Sequence, residues 1–150
     1  MKKLLLIFTL LVSTVMFSSP SYAKWTKVST NTIGVTFYVD FERIRKHDRY
    51  VYWWNLNDRL KPSTGGYLSV KIYKQGDCGS FQVKYLSFVN HKEPMGRNLG
   101  ESYNPKNPQW VFHDPHSANE SILKSVCSRW VLDNEKTNSH IPNLFDIPLT

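Results

Sequence analysis

Cys78 and Cys127 are the two cysteines of the 150-residue chain, and His113, Asp114 and His116 bring two imidazoles and a carboxylate close together. A thiol pair can bridge, ligate a metal or supply a nucleophile. The nucleophile needs an activating base, and a hydrolytic serine needs a strained turn such as G-x-S-x-G. Neither pattern occurs. Metal sites read from sequence need C-x-x-C pairs or H-E-x-x-H, and Pro115 denies the two histidines a regular helix to share. The phosphate loops G-x-x-x-x-G-K and G-x-G-x-x-G are also missing. The chain therefore reads as non-enzymatic, with no cofactor and no metal expected.

The cysteines find their chemistry in the export signal. Residues 1–23 open with MKK, run apolar from Leu4 to Phe17 and close on SSPSYA, the three parts of a secretory signal peptide. Ser21 and Ala23 take the small-residue positions, so cleavage is expected after Ala23. The apolar run is shorter than the ~20 residues that cross a bilayer, so no transmembrane anchor is expected after cleavage. Residues 1–23 contain no cysteine to carry a lipid, and the product is read as exported but not lipidated. Outside the reducing cytosol an even cysteine pair is expected to form a disulfide, Cys78 to Cys127.

Cleavage leaves 127 residues and takes two lysines, lowering the formal charge from +7 to +5. That length suits one domain. The excess charge is first a matter of solubility, and no nucleic-acid partner is inferred from it.

Binding chemistry is better represented. Residues 50–60, YVYWWNLNDRL, place four aromatics in five positions, and Arg43, Arg45, Lys46, His47 and Arg49 precede them. Read with period two, Tyr50, Tyr52, Trp54, Leu56 and Leu60 fall on one side of a strand and look like core. Val51, Trp53, Asn55, Asn57 and Arg59 fall on the other. Trp53 is then the aromatic left for a partner, with Tyr67, Tyr73, Arg43 and Arg45 as further candidate contacts.

Other strands are expected at Trp25–Val28, at VTFYVD (35–40), around residues 68–73 and along SFQVKYLSFV (80–89), with turns at STNTIG and KPSTGG. Asp40 is placed to cap one helical turn over Phe41–Ile44. Ser117 to Glu120 spell the S-x-x-E capping box, and Ala118, Ile122, Leu123, Val126 and Cys127 gather on one side of the helix that follows. The fold class is α+β: a small antiparallel sheet with one C-terminal helix packed on one face and stapled by the disulfide. Residues 90–109 read as a long loop, expected to be mobile, and 128–150 as an irregular tail.

The order of these features resembles the surface-adhesin protein E-like domain family of Gram-negative bacteria. The resemblance covers about Trp25 to Cys127. It is carried by FYVDFERIRKHDRYVYWW, the strand leading to GDC, the long Pro/Gly/Asn loop and the helix ending in KSVC. It implies the same sheet-plus-helix fold and the same cysteine bridge. It further implies an adhesin-like function, with host matrix glycoproteins as candidate protein partners and a homodimer as a candidate assembly. The family's namesakes are outer-membrane lipoproteins. This chain lacks the lipid cysteine in residues 1–23, so the alternative is a periplasmic structural or envelope-maintenance protein with no host target. Location is expected in the periplasm, on the outer-membrane surface or outside the cell.

Overall fold

The computed structural model describes residues 23–138. The signal peptide expected up to Ala23 and the tail beyond residue 138 lie outside the described residues, apart from Ala23 itself.

Seven strands form one antiparallel sheet: β1 Trp25–Thr30, β2 Val35–Asp40, β3 Arg45–His47, β4 Tyr50–Arg59, β5 Ser69–Asp77, β6 Gln82–His91 and β7 Glu101–Tyr103. Their order is β1-β2-β4-β5-β6-β7, and β3 pairs with β4 beyond the end of β2. Short turns join most neighbours, as a meander of alternating, β-rich segments requires. A 3₁₀ turn at Phe41–Arg43 carries the chain from β2 to β3. The Asp40 carboxylate does not cap that turn. It is fully buried and accepts a hydrogen bond from Arg43 Nε at 2.5 Å.

Two strands fall where none is expected from sequence. β3 occupies the basic run, and β7 lies inside residues 90–109, pairing with β6 through Phe88–Tyr103, Val89–Ser102 and Asn90–Glu101. A second 3₁₀ turn, Pro94–Gly96, is tied down by Asp58 and Ser69, which accept hydrogen bonds from Met95 N–H at 2.6 Å and Gly96 N–H at 2.9 Å. This segment is built onto the sheet rather than free of it.

Helix α1, Ala118–Asn138, packs over β1, β2 and β4. Ser117 Oγ accepts the Glu120 N–H at 3.1 Å, as the capping box requires. The returning carboxylate of Glu120 accepts the N–H of His116 at 2.8 Å instead of that of Ser117. Ile122, Leu123 and Val126 are fully buried against Val35, Phe37, Val39, Val51, Trp53 and Val83. Each such side chain contributes roughly 1.5–3 kcal/mol by leaving water. α1 runs through residues 128–138, so the irregular tail expected from residue 128 is corrected there. That stretch has neither proline nor glycine to stop a helix; the prolines of the tail stand at 142 and 148.

Cys78, in the turn just after β5, bridges to Cys127 on α1 with Cα atoms 5.7 Å apart. The staple thus joins helix to sheet across 49 residues, a loop whose closure in the unfolded chain is worth roughly 4 kcal/mol in the chain-entropy account.

The side of β4 that meets the helix is the reverse of the one expected. Val51, Trp53 and Asn55 are fully buried, while Tyr50, Tyr52 and Trp54 are only half-buried and Leu60 is 84% exposed. Period two separates the two sides of a strand and cannot name the covered one. Here the β-branched Val35, Val39 and Val51 match the helix stripe. Leu56, on the opposite side, is also buried.

Candidate binding face

Trp53 is core. It has no exposed surface, its six-membered ring packs where a Cβ on Gly76 would lie within 2.8 Å, and its partner across β5 is the buried Lys74. The expectation that Trp53 meets a partner is therefore corrected, because the helix covers it. The half-buried Trp54 stands on the side away from the helix instead.

On the side away from α1, the register of β4 and β5 sets Trp54 opposite Tyr73 and Tyr52 opposite Gln75. The Tyr73 ring lies 5.0 Å from that of Trp54 and 6.2 Å from that of Tyr52, so the three make a continuous aromatic run. Such offset pairs gain about 0.5–1.5 kcal/mol beyond their burial and present rigid, flat surface. Arg45, exposed on β3, pairs with Tyr52 and so rises on the same side.

Next to this run lies a concavity of about 380 Å³ lined by Trp25, Arg43, Trp54, Lys71, Val89 and His91, with Ala23 at its edge. Asp40, 1% exposed, anchors Arg43 through Nε, while 39% of the Arg43 side chain stays open. The two Nη nitrogens, with four of the five guanidinium donors, are left for other work. Lys71 Nζ donates to the Gly96 carbonyl at 2.7 Å. Gly96 has φ +64°, and a Cβ there would stand 2.2 Å from Lys71 Cε, so only glycine seats this lysine. Burial, and then the nearby Arg43 charge, lower the Lys71 pKa from its ordinary value. Two cations therefore face one concavity, and a single carboxylate, already engaged, offsets them.

His91 is 3% exposed. Its Nδ1 lies 3.1 Å from the carbonyls of both Arg97 and Asn98, which makes Nδ1 the protonated nitrogen. Burial, and then the charge of Lys71, depress its pKa, so the ring is held neutral and Nε2 carries a lone pair. That Nε2 is buried without a hydrogen-bond partner.

Of the residues singled out from sequence, Arg43, Arg45 and Tyr73 come together on this face. Tyr67 does not join them: it lies in the β4–β5 turn and donates to the Glu101 carboxylate at 2.5 Å, tying the turn to β7. Tyr52, Trp54, Lys71, His91 and Trp25 are the residues that sequence reasoning missed. Correct assignment of the covered side would have exposed Tyr52 and Trp54. His91 and Lys71 carry no local signal, because strand register and the Gly96 turn bring them to the groove. His113 sits elsewhere, its Nε2 3.4 Å from the Tyr85 hydroxyl, and among the described residues no group of three or more metal-ligand side chains converges. Among these residues, too, no helix is long and apolar enough to cross a membrane.

The family model described as surface-adhesin protein E matches residues 25–128. Among solved structures, crystal form II of Haemophilus influenzae protein E superposes with a TM-score of 0.55 at 16% identity, covering 77% of this chain and 97% of that one. Protein E from non-typeable Haemophilus influenzae gives 0.54 at 15% identity, covering 77% and 84%. No curated protein matches.

Proposed function

This chain belongs to the surface-adhesin protein E family, and we propose that it is a non-enzymatic adhesin-like module whose partner meets the sheet face turned away from α1. The observation that carries this reading is the run Tyr52–Tyr73–Trp54 beside Arg43 and Lys71, on the side of the sheet that the helix leaves open. Aromatic and arginine side chains in such a cluster are the residue types that dominate binding energy at protein surfaces. The partner class is a host matrix glycoprotein. The protein works after export and removal of residues 1–23, from the surface of a Gram-negative cell or beyond it, and a homodimer is a compatible assembly.

Binding of the purified protein to a panel of immobilised matrix glycoproteins tests the face. Tyr73→Ala should weaken the interaction at least tenfold with the helix and disulfide intact, and unchanged affinity would remove this face from the account. Protease treatment of intact cells tests the location. Digestion places the protein at the surface, whereas protection until the outer membrane is opened would overturn surface display and leave an envelope-maintenance role.

A further inference from the structure

We propose that the concavity between Trp25 and Trp54 is a binding site for an acidic saccharide, whose sulfate or carboxylate is held by Arg43 and Lys71 while a sugar ring packs on the Trp54 indole. This deepens the binding-face reading and rests on it. The volume of about 380 Å³, with Ala23 still closing one edge, lies in the range of small-ligand sites, and removal of residues 1–23 opens that edge further. The free Nη nitrogens of Arg43 form a planar fork that matches sulfate or carboxylate oxygens, and Lys71 adds a second, pre-positioned cation. Asp40 balances one of these charges, so one positive charge is left for an anion to neutralise.

His91 separates a saccharide from a bare anion. His91 lines the concavity, and its Nε2 is an unpartnered acceptor with no surface open to water, which a ligand donor reaches once the neighbouring side chains shift. Sulfate has no proton to give, whereas a sugar hydroxyl does. The C–H face of a pyranose ring, weakly positive, is complementary to the negative face of the indole at Trp54.

Tryptophan fluorescence titration of the full disulfide-bonded protein provides the test. The probes are a size-defined heparin oligosaccharide, a hyaluronan oligosaccharide, neutral dextran and inorganic sulfate. Both acidic oligosaccharides should bind, with dextran and sulfate at least a hundredfold weaker. Lys71→Gln and Trp54→Ala should each weaken heparin binding at least tenfold, and Lys71→Gln should also lower the steepness of its salt dependence. Arg43→Gln serves as a third variant, since it also strips Asp40 of its partner and can lower stability. Equal binding of sulfate and oligosaccharide would overturn the saccharide assignment, and heparin binding unchanged in the folded Lys71→Gln and Trp54→Ala variants would overturn the site. Tighter binding of phosphorylated lipopolysaccharide sugars would support the same chemistry and locate the ligand on the bacterial envelope. If Tyr73-dependent capture of a glycoprotein survives its deglycosylation while no oligosaccharide binds, this inference fails and the binding-face reading stands.

Discussion

Lys74 faces Trp53 across β4 and β5, fully enclosed beneath the helix, with Nζ 3.2 Å from Asn119 Oδ1 and 4.9 Å from the centre of the Tyr85 ring. Among the described residues no carboxylate pairs with it, and burial lowers its pKa from 10.5 to about 7. Between those values the unfolded chain holds a proton that the folded chain has released, so stability rises with pH from about 7 to 10.5. Below 7 both states carry the charge, and the full cost of desolvating it is present. Lys74→Met should therefore raise stability at pH 6, on the order of 1–4 kcal/mol, and flatten the rise seen between pH 7 and 10. Melting curves across that range check both; a lower melting temperature for the variant would show that Lys74 stabilises the core. Residue types on β4 were legible in the sequence, but their sides were not. Both sides begin aromatic or apolar, and only the helix stripe of Ile122, Leu123 and Val126 decides which is covered. The two adjacent tryptophans make the contrast measurable: Trp53→Ala should cost about 3–5 kcal/mol and Trp54→Ala about 1 kcal/mol.

Among the elements, α1 was the most legible, since its capping box and apolar stripe are local signals that packing reinforces. Its extension to Asn138 carries no comparable signal: the prolines of the tail stand only at 142 and 148, so nothing local marks where between residues 128 and 141 the helix ends. β3 and β7 were illegible for a different reason. Three-residue strands are formed by pairing with β4 and β6, not by their own composition. The close seating of α1 on the sheet depends on Gly76, where an added Cβ would lie 2.8 Å from Trp53 and 3.2 Å from Leu123. Gly76→Ala should then destabilise by roughly 1–3 kcal/mol, read as a lower denaturant midpoint with an unchanged slope. A neutral or stabilising result would mean that the helix can shift without loss.

For the whole molecule, the cysteine pair and the period-two segments were enough to predict a helix stapled to an antiparallel sheet, and the family match places residues 25–128 in that fold. The groove was not predictable. It is assembled from β1, the Phe41–Arg43 turn, β4, β5 and β6, and depends on the register of long-range pairings. Replacing both Cys78 and Cys127 by Ser should lower stability by roughly 4 kcal/mol while leaving the aromatic face on β4 and β5 in place in whatever fraction stays folded. Equal stability of the bridged and unbridged forms would contradict the staple. The division of labour between the two faces is tested most directly by measuring affinity for a purified matrix glycoprotein and melting temperature together, for Trp54→Ala and Trp53→Ala. Trp54→Ala is predicted to lose at least tenfold in affinity while melting close to the wild type, and Trp53→Ala to lose its melting transition first. Full affinity retained by Trp54→Ala, or a loss of melting temperature as large as that of Trp53→Ala, would contradict the account.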